Sequence, residues 1–220
     1  MAERLPIRKY VFTVEGETEQ WYLNWLKDQI NACPERTYNA VFTIKVQQSP
    51  QRFSKGIVRK TTPMITHFCD VESNDLVHVE NFQRILGEMK VAVDEKGIDY
   101  RLGYSNYSFE LWMILHKSDC MGPLSHRGQY LHAINRAYCE RFENLEHYKA
   151  EDNYRRCLSK LSLVDVRNTI RRAEKIMTAK EQDKSMKKVG YKTFSYYRDN
   201  PALSVHETIK MILVECGIKP

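Results

Sequence analysis

Val11-Phe12-Thr13-Val14-Glu15-Gly16-Glu17-Thr18-Glu19 is the stretch that decides the fold class of this chain. Its apolar run stops at the carboxylate of Glu15, a glycine turn follows, and a helix is predicted to begin near Thr18. Further along, a second strand-like run at residues 64–69 ends in Asp70-Val71-Glu72. Two apolar strands that each end in acid predict one electronegative pocket above a sheet, which suits a hard divalent cation.

Strand and helix signals alternate through the first half of the chain. The predicted strands cover residues 10–14, 40–46, 64–69 and 98–104, and the predicted helices between them begin near residues 18, 50 and 77. This alternation predicts βαβ units and an α/β fold, a mostly parallel four-stranded sheet flanked by helices. Because ligands bind beyond the carboxyl ends of such strands, the positions of Glu15, Asp70 and Glu72 favour one common site.

The second half of the chain has mostly helical patterns. The predicted helices cover residues 109–116, 129–144, 152–161, 163–180 and 204–216. We therefore predict an α/β domain over residues 1–118 and a helical, basic C-terminal extension over residues 119–220 that packs on it. Residues 179–192 contain five lysines and few apolar residues, and we expect them to be the most mobile part.

Positive charge is concentrated in the C-terminal part. Residues 149–199 contain 14 Lys and Arg against 7 Asp and Glu, whereas the whole chain carries a net charge of +6. Such a basic window suits a partner rich in phosphate, DNA or RNA, although a solvated helical face gives the same composition. The candidate nucleic-acid-binding residues are Arg155, Arg156, Arg171, Arg172, Lys187 and Lys188.

The candidate catalytic residues are acidic. Glu15, Asp70 and Glu72 are also the candidate metal ligands, and Glu110 could add a fourth carboxylate from the start of its helix. Magnesium prefers oxygen ligands and usually keeps several waters, so one to three carboxylates can hold it beside a phosphate. Two such ions about 4 Å apart can clamp an in-line phosphoryl displacement.

Each of these acids also has a structural interpretation. Glu15 could be a surface residue at a strand end, and Asp70 could cap a turn. A carboxylate in the first turn of a helix is favourable without any catalytic duty, which applies to Glu110. We assign the same dipole role to Glu17 and Glu19 at the start of the first helix.

Several classes of protein are disfavoured by the sequence. No apolar run approaches the roughly 20 residues that span a bilayer, and the first residues do not resemble a secretion signal, so we expect a cytoplasmic protein without membrane contact. The six cysteines contain no C-x-x-C pair, which argues against a zinc ribbon. Neither a Walker motif nor a G-x-G-x-x-G turn is present, which argues against nucleotide-driven chemistry within this chain.

Two sets of motifs resemble known families. The segment V-E-G-E-T-E at residues 14–19 and D-V-E at residues 70–72 resemble a Toprim domain, the metal-binding fold of topoisomerases, primases and OLD-type nucleases. The segments S-N-Y-S-F-E-L-W-M-I-L-H at residues 105–116 and N-P-A-L-S-V-H at residues 200–206 resemble the RloB-like family of prokaryotic defence proteins. This resemblance runs over about residues 10–213, nearly the whole chain.

The resemblance implies a Toprim-like α/β domain with a helical C-terminal extension. It also implies a Mg²⁺- or Mn²⁺-dependent nuclease of an anti-phage, abortive-infection system, often beside a partner ATPase. Glu15 matches the Toprim glutamate, and Asp70 and Glu72 match its acidic pair.

Two positions depart from the family pattern. Position 72 is Glu rather than the usual aspartate, and position 107 is Tyr where the family tends to have proline. A longer carboxylate still binds metal but displaces the ion. The alternative hypothesis is therefore a catalytically weak or inactive Toprim module that binds nucleic acid and regulates a partner ATPase.

Overall fold

The computed structural model describes residues 5–57, 64–122, 124, 126–183, 185–186 and 188–220. The strands within these residues are β1 (Ile7–Val14), β2 (Asn39–Val46), β3 (Ile65–Asp70), β4 (Tyr100–Asn106), β5 (Lys188–Tyr191), β6 (Phe194–Tyr197) and β7 (Ala202–Leu203). The helices are α1 (Glu17–Ala32), α2 (Pro50–Lys55), α3 (Leu76–Lys96), α4 (Glu110–Leu115), α5 (Gln129–Tyr138), α6 (Leu145–Lys149), α7 (Glu151–Leu158), α8 (Leu163–Gln182) and α9 (Val205–Glu215).

The main sheet has five strands in the order β2-β1-β3-β4-β7. Strands β1 to β4 are parallel, as predicted, and β7 adds an antiparallel edge beside β4 that the sequence did not predict. This mostly parallel sheet flanked by helices is compatible with a Toprim-like fold. The chain leaves β1 towards β2 on one side and leaves β3 towards β4 on the other, so the connections diverge between β1 and β3. Such a divergence is where ligands bind in open parallel sheets.

The sheet is covered on both faces because alternate side chains of its strands point in opposite directions. On one face, Phe12 and Val14 of β1 pack in a core with α1, α4, α7, α8 and α9. On the other face, Ile65 and Cys69 of β3 pack with α3. Among the described residues, no helix has both the length and the apolarity that crossing a bilayer requires.

The second half of the chain is largely helical, as predicted, but it also contributes three short strands. Strands β5 and β6 pair as a hairpin within the segment that follows α8. Tyr196 of β6 is buried and its ring centroid lies 4.7 Å from that of Phe82 in α3, which fixes the hairpin against this helix. Elements from both sides of the boundary predicted at residue 118 share these cores, and that boundary stays a prediction.

One close contact explains the packing between the two inner strands. Gly103 of β4 lies opposite Phe68 of β3 in the parallel register. A Cβ atom at position 103 would clash with the ring of Phe68, so the glycine leaves the space that this ring occupies. Phe68 is 1% exposed and belongs to the core beneath α1. The residue that ends the same strand is Asp70.

Candidate metal-binding and active site

The carboxyl ends of β1 and β3 bring two predicted acids together. Val14 lies opposite Phe68 in the register, so Glu15 follows β1 beside the last residues of β3. The backbone N–H of Asp70 donates a hydrogen bond of 3.2 Å to Oε2 of Glu15. Glu15 and Asp70 therefore meet where the chain connections diverge, as the strand ends predicted.

These acids line a pocket of about 320 Å³, which we call the acidic pocket. Five carboxylates line it: Glu15, Glu17, Glu19, Asp70 and Glu72. Among the described residues that line the pocket, two carry positive charge, Arg127 and Lys149. Acidic side chains therefore outnumber basic ones in the acidic pocket, five to two.

Burial and mutual repulsion disfavour the ionised forms of Glu15 and Asp70, which we call the two inner acids, and of Glu19. Burial raises the pKa of Glu15 to about 8, and the nearby Glu19 and Glu72 charges add to the shift against the stabilising Asp70 N–H. Burial raises the pKa of Asp70 well above its usual range, with Glu15 and Glu19 adding to the shift. Burial likewise raises the pKa of Glu19. A bound cation would favour the ionised carboxylates, since opposite charge within about 4–6 Å lowers such pKa values.

The donor set fits a hard divalent ion bound in an open site. Within the described part of the chain, no three His, Cys, Asp or Glu side chains are grouped as the ligands of one ion. The paired Glu15 and Asp70 carboxylates are nevertheless the kind of ligand that Mg²⁺ and Mn²⁺ prefer. Mg²⁺ is usually bound through one or two carboxylates, with waters and substrate phosphates as the other ligands. The acidic pocket therefore suits an ion that binds together with a phosphate.

Glu72 lies at the edge of the acidic pocket with a partner of its own. Its Oε2 is 3.0 Å from Nε2 of His78, in the first turns of α3. The other ring nitrogen of His78 is 2.7 Å from the hydroxyl of Ser73. Glu72 also has a left-handed backbone conformation, with φ of 60°. The structure thus places Glu72 beside the two inner acids, with its carboxylate oriented by an imidazole.

Glu110 does not line the acidic pocket. It lies behind Lys149, is 2% exposed, and its Oε1 is 2.9 Å from Nζ of Lys149. Burial would raise the pKa of Glu110, but the charge and hydrogen bond of Lys149, the nearby Ser108 hydroxyl and the Arg127 charge together outweigh burial, so the pKa lies below its usual value. Glu110 is thus an ionised partner of a lysine in this structure, rather than a fourth acid in the pocket.

Sequence reasoning missed four charged residues of the pocket, Glu17, Glu19, Arg127 and Lys149. Glu19 was assigned to the helix dipole, but it is 5% exposed and accepts a hydrogen bond of 2.8 Å from the Thr18 hydroxyl. The position of Glu19 in the first turn of a helix does not reveal that this turn of α1 faces β3, so its place in the pocket could not be predicted. Arg127 and Lys149 come from distant segments, and no motif in the sequence marks them.

Two of the predicted nucleic-acid-binding residues, both on α7, form ion pairs with glutamates. Arg155 pairs with Glu151 at 2.7 Å within α7. Arg156 pairs with Glu140 at 3.1 Å. Neither arginine is among the described residues that line the acidic pocket. Ion pairs at the surface can exchange for phosphate contacts, so both stay candidates for binding nucleic acid.

The other predicted basic residues are dispersed. Arg172 donates to the backbone carbonyl of Leu115 at 2.7 Å, which ties α8 to the end of α4. Arg171 and Lys188 are exposed, and Lys187 lies outside the described residues. Among the described members of this group, none lines the acidic pocket.

The raised pKa of Glu15 predicts a pH-dependent stability difference when no metal is bound. The pKa of Glu15 is 4.5 in the unfolded chain and about 8 in the folded protein. Protonated Glu15 therefore contributes its whole stabilising free energy below pH 4.5, and this contribution is lost as the pH rises to 8. Glu15→Gln removes this titration. The variant should therefore gain stability relative to wild type between these pH values, by at least about 1 kcal/mol, since one pKa unit corresponds to about 1.4 kcal/mol.

Urea unfolding of both proteins in EDTA at pH 5 and at pH 8 measures this difference. Comparing the two proteins cancels the titration of the buried histidines, which is common to both. A stability difference that stays constant between the two pH values would contradict the burial of Glu15 among like charges.

Comparison with known proteins gives one family match. A family model described as RloB-like protein matches residues 10–212. No curated protein and no solved structure matches the chain. The matched range contains both strand ends of the acidic pocket as well as α4 and α6, the helices that carry Glu110 and Lys149.

Proposed function

The chain belongs to the RloB-like family, and we propose that it is a metal-dependent nuclease that hydrolyses phosphodiesters of DNA or RNA in the acidic pocket. The meeting of Glu15 and Asp70 at the ends of adjacent parallel strands carries this proposal. Their carboxylates are buried among like charges, which favours a divalent cation as the group that completes the site. Phosphoryl transfer is the chemistry that such sites commonly serve.

Glu15 and Asp70 would hold Mg²⁺ or Mn²⁺, and Glu72 would join them as a ligand only by leaving His78. When bound, such an ion supplies charge neutralisation at the phosphate and lowers the pKa of a bound water. Glu15 would have a second role, since a carboxyl group with a pKa of about 8 can accept or donate a proton near neutral pH. Asp70 orients Glu15 through its backbone N–H.

The basic residues would position the nucleic acid. Arg127 is 44% exposed on its side chain and is 3.7 Å from Asp70, so it can contact a phosphate that enters the acidic pocket. The basic C-terminal part, including exposed Arg171 and Lys188, would contact phosphates further along the strand. Such contacts fix the register of the substrate without reading its sequence.

Family membership also supports two wider proposals. The protein would act in prokaryotic anti-phage defence of the abortive-infection type, where destruction of nucleic acid halts infection. As the resemblance to this family implies, it would also act beside a partner ATPase.

The proposed function is tested by incubating the purified protein with labelled single- and double-stranded DNA and RNA. Cleavage is expected with Mg²⁺ or Mn²⁺ and should disappear in EDTA. The pH should be held at 8, where an ion competes with fewer protons for Glu15. If none of the four substrates is cut with either metal, the nuclease proposal is wrong.

The alternative is a weak or inactive module that binds nucleic acid and regulates a partner ATPase. The pairing of Glu72 with His78 favours it, because this carboxylate is already engaged. In that case the protein would bind nucleic acid without cutting it and would change the ATPase rate of its partner. Wild-type cleavage that Asp70→Asn removes would exclude this alternative.

A further inference from the structure

A phosphodiester that enters the acidic pocket meets five carboxylates, which repel it. The described lining residues offer two cations against this repulsion, Arg127 and Lys149. Arg127 is in a turn, is half-exposed and makes a loose 3.7 Å contact with Asp70. Lys149 is held more tightly, by a buried glutamate.

The ammonium of Lys149 lies between the acidic pocket and a buried carboxylate. Its Nζ is 2.9 Å from Oε1 of Glu110, whose side chain is 2% exposed. Lys149 itself lines the acidic pocket, and 32% of its side chain is exposed. The second oxygen of Glu110, Oε2, is buried without a hydrogen-bond partner among the described residues. The charge of Glu110 is balanced first by Lys149, 2.9 Å away, and further by the charge of Arg127.

The backbone that carries Lys149 is also fixed. The preceding residue, Tyr148, is fully buried. Its ring centroid is 5.6 Å from that of Phe142 and 5.5 Å from that of Tyr154. Helix α6 is thus anchored one residue before Lys149, so both ends of this lysine side chain are positioned by buried groups.

We propose that Lys149 is a further catalytic residue, whose ammonium contacts a non-bridging oxygen of the scissile phosphodiester, and that Glu110 is its positioning residue rather than a metal ligand. This inference rests on the proposed function and adds to it. In this inference Glu110, the glutamate of the S-N-Y-S-F-E-L-W segment, holds a cation in an otherwise acidic site. Lys149 keeps its proton throughout, so its contribution is charge and position.

The physical reason is electrostatic preorganisation. A cation that is fixed before the substrate arrives stabilises the charge that builds on the phosphate oxygens without a cost of reorganisation during the reaction. Ion pairing with Glu110 keeps Lys149 ionised and favours its position beside Glu110 over direct pairing with Asp70 or Glu15. A lysine free to pair with those acids would compete with the metal for them.

Metal binding separates the two roles that Glu110 could have. Calorimetric titration with Mn²⁺ should show a loss of at least about 10-fold in affinity for Asp70→Asn, as expected for a ligand. Glu110→Gln should keep its Mn²⁺ affinity within about threefold of wild type, and Lys149→Gln should bind Mn²⁺ at least as tightly, because it removes a competing positive charge. If Glu110→Gln loses as much Mn²⁺ affinity as Asp70→Asn, Glu110 is a ligand and the inference is wrong.

Cleavage kinetics test the role of Lys149. Lys149→Gln should lower kcat by about 10²- to 10³-fold, the range for one preorganised donor, with a much smaller change in KM. Lys149→Arg should restore part of the rate because it restores the charge. The double variant Glu110→Gln/Lys149→Gln should be no slower than Lys149→Gln alone, since residues that act as one unit are not additive. The double variant also avoids leaving an uncompensated buried carboxylate, which would endanger folding.

The matched control is Lys90→Gln, which removes another ion-paired lysine of similar exposure (27%), held by Asp94 on α3 and outside the acidic pocket. It should cleave at the wild-type rate. If Lys149→Gln also cleaves at the wild-type rate, or if the double variant shows multiplied losses, the inference fails while the nuclease proposal stands. If wild type neither binds Mn²⁺ nor cleaves, the proposed function fails and this inference fails with it.

Discussion

Replacing Asp70 by asparagine is expected to lower metal-dependent cleavage by at least about 100-fold. Even mutation of residues that only hydrogen-bond to metal ligands lowers metal affinity or activity by roughly 10- to 100-fold. The side chain of Asp70 is 9% exposed at the end of β3, and its carboxylate faces the acidic pocket. Asparagine has nearly the same shape and keeps the backbone N–H that binds Glu15, but it lacks the negative charge. The loss should therefore come from weaker metal binding and not from unfolding.

The measurement is the initial cleavage rate at a fixed Mg²⁺ concentration well below saturation of the wild type, with circular dichroism melting to establish that the variant is folded. Asp94→Asn is the matched control, because Asp94 is an exposed acid on α3 that pairs with Lys90. That control should stay within about twofold of wild type, as surface substitutions usually do. Unimpaired cleavage by Asp70→Asn would remove Asp70 from the site.

Replacing Phe68 by alanine is expected to lower the free energy of unfolding by about 3–5 kcal/mol, the usual cost of truncating a buried phenylalanine. Its ring centroid lies 5.6 Å from that of Phe12 and 6.2 Å from that of Phe109. Phe68 of β3 thus connects β1 to the segment that leads into α4. The space beside Gly103 that its ring fills would become a cavity.

Urea denaturation at constant pH measures this loss. Phe68→Leu is the control, because it keeps most of the buried volume and should cost less than about 1.5 kcal/mol. A loss below 1 kcal/mol for Phe68→Ala would mean that Phe68 is not packed between β1, β3 and β4 as described.

The fold and the two inner acids were predictable because their signals are local. An apolar run followed by a carboxylate is visible in the residues before Glu15 and before Asp70, and the alternation with helices indicates parallel strands. Parallel strands end at one edge of a sheet, so their terminal residues can meet. That Glu15 and Asp70 are neighbours depends on the order β2-β1-β3-β4, which no local pattern specifies.

The remainder of the pocket could not be predicted, since it depends on tertiary contacts. Lys149 and Glu110 come from separate helices, and their pairing follows from the packing of Tyr148 rather than from sequence spacing. The two residues of β7 are too few to show a period, so the fifth strand had no signal. Likewise, composition predicts a basic region but not that Arg172 binds the carbonyl of Leu115.

The central claim is that the acidic pocket between β1 and β3 binds a divalent cation. A crystal of the protein grown or soaked with Mn²⁺, measured at the manganese absorption edge, tests it most directly. We predict an anomalous peak in the acidic pocket, in contact with Glu15 or Asp70, that is absent from crystals of Asp70→Asn. Wild-type crystals with no manganese in that pocket, or with manganese bound only elsewhere on the chain, would contradict the claim.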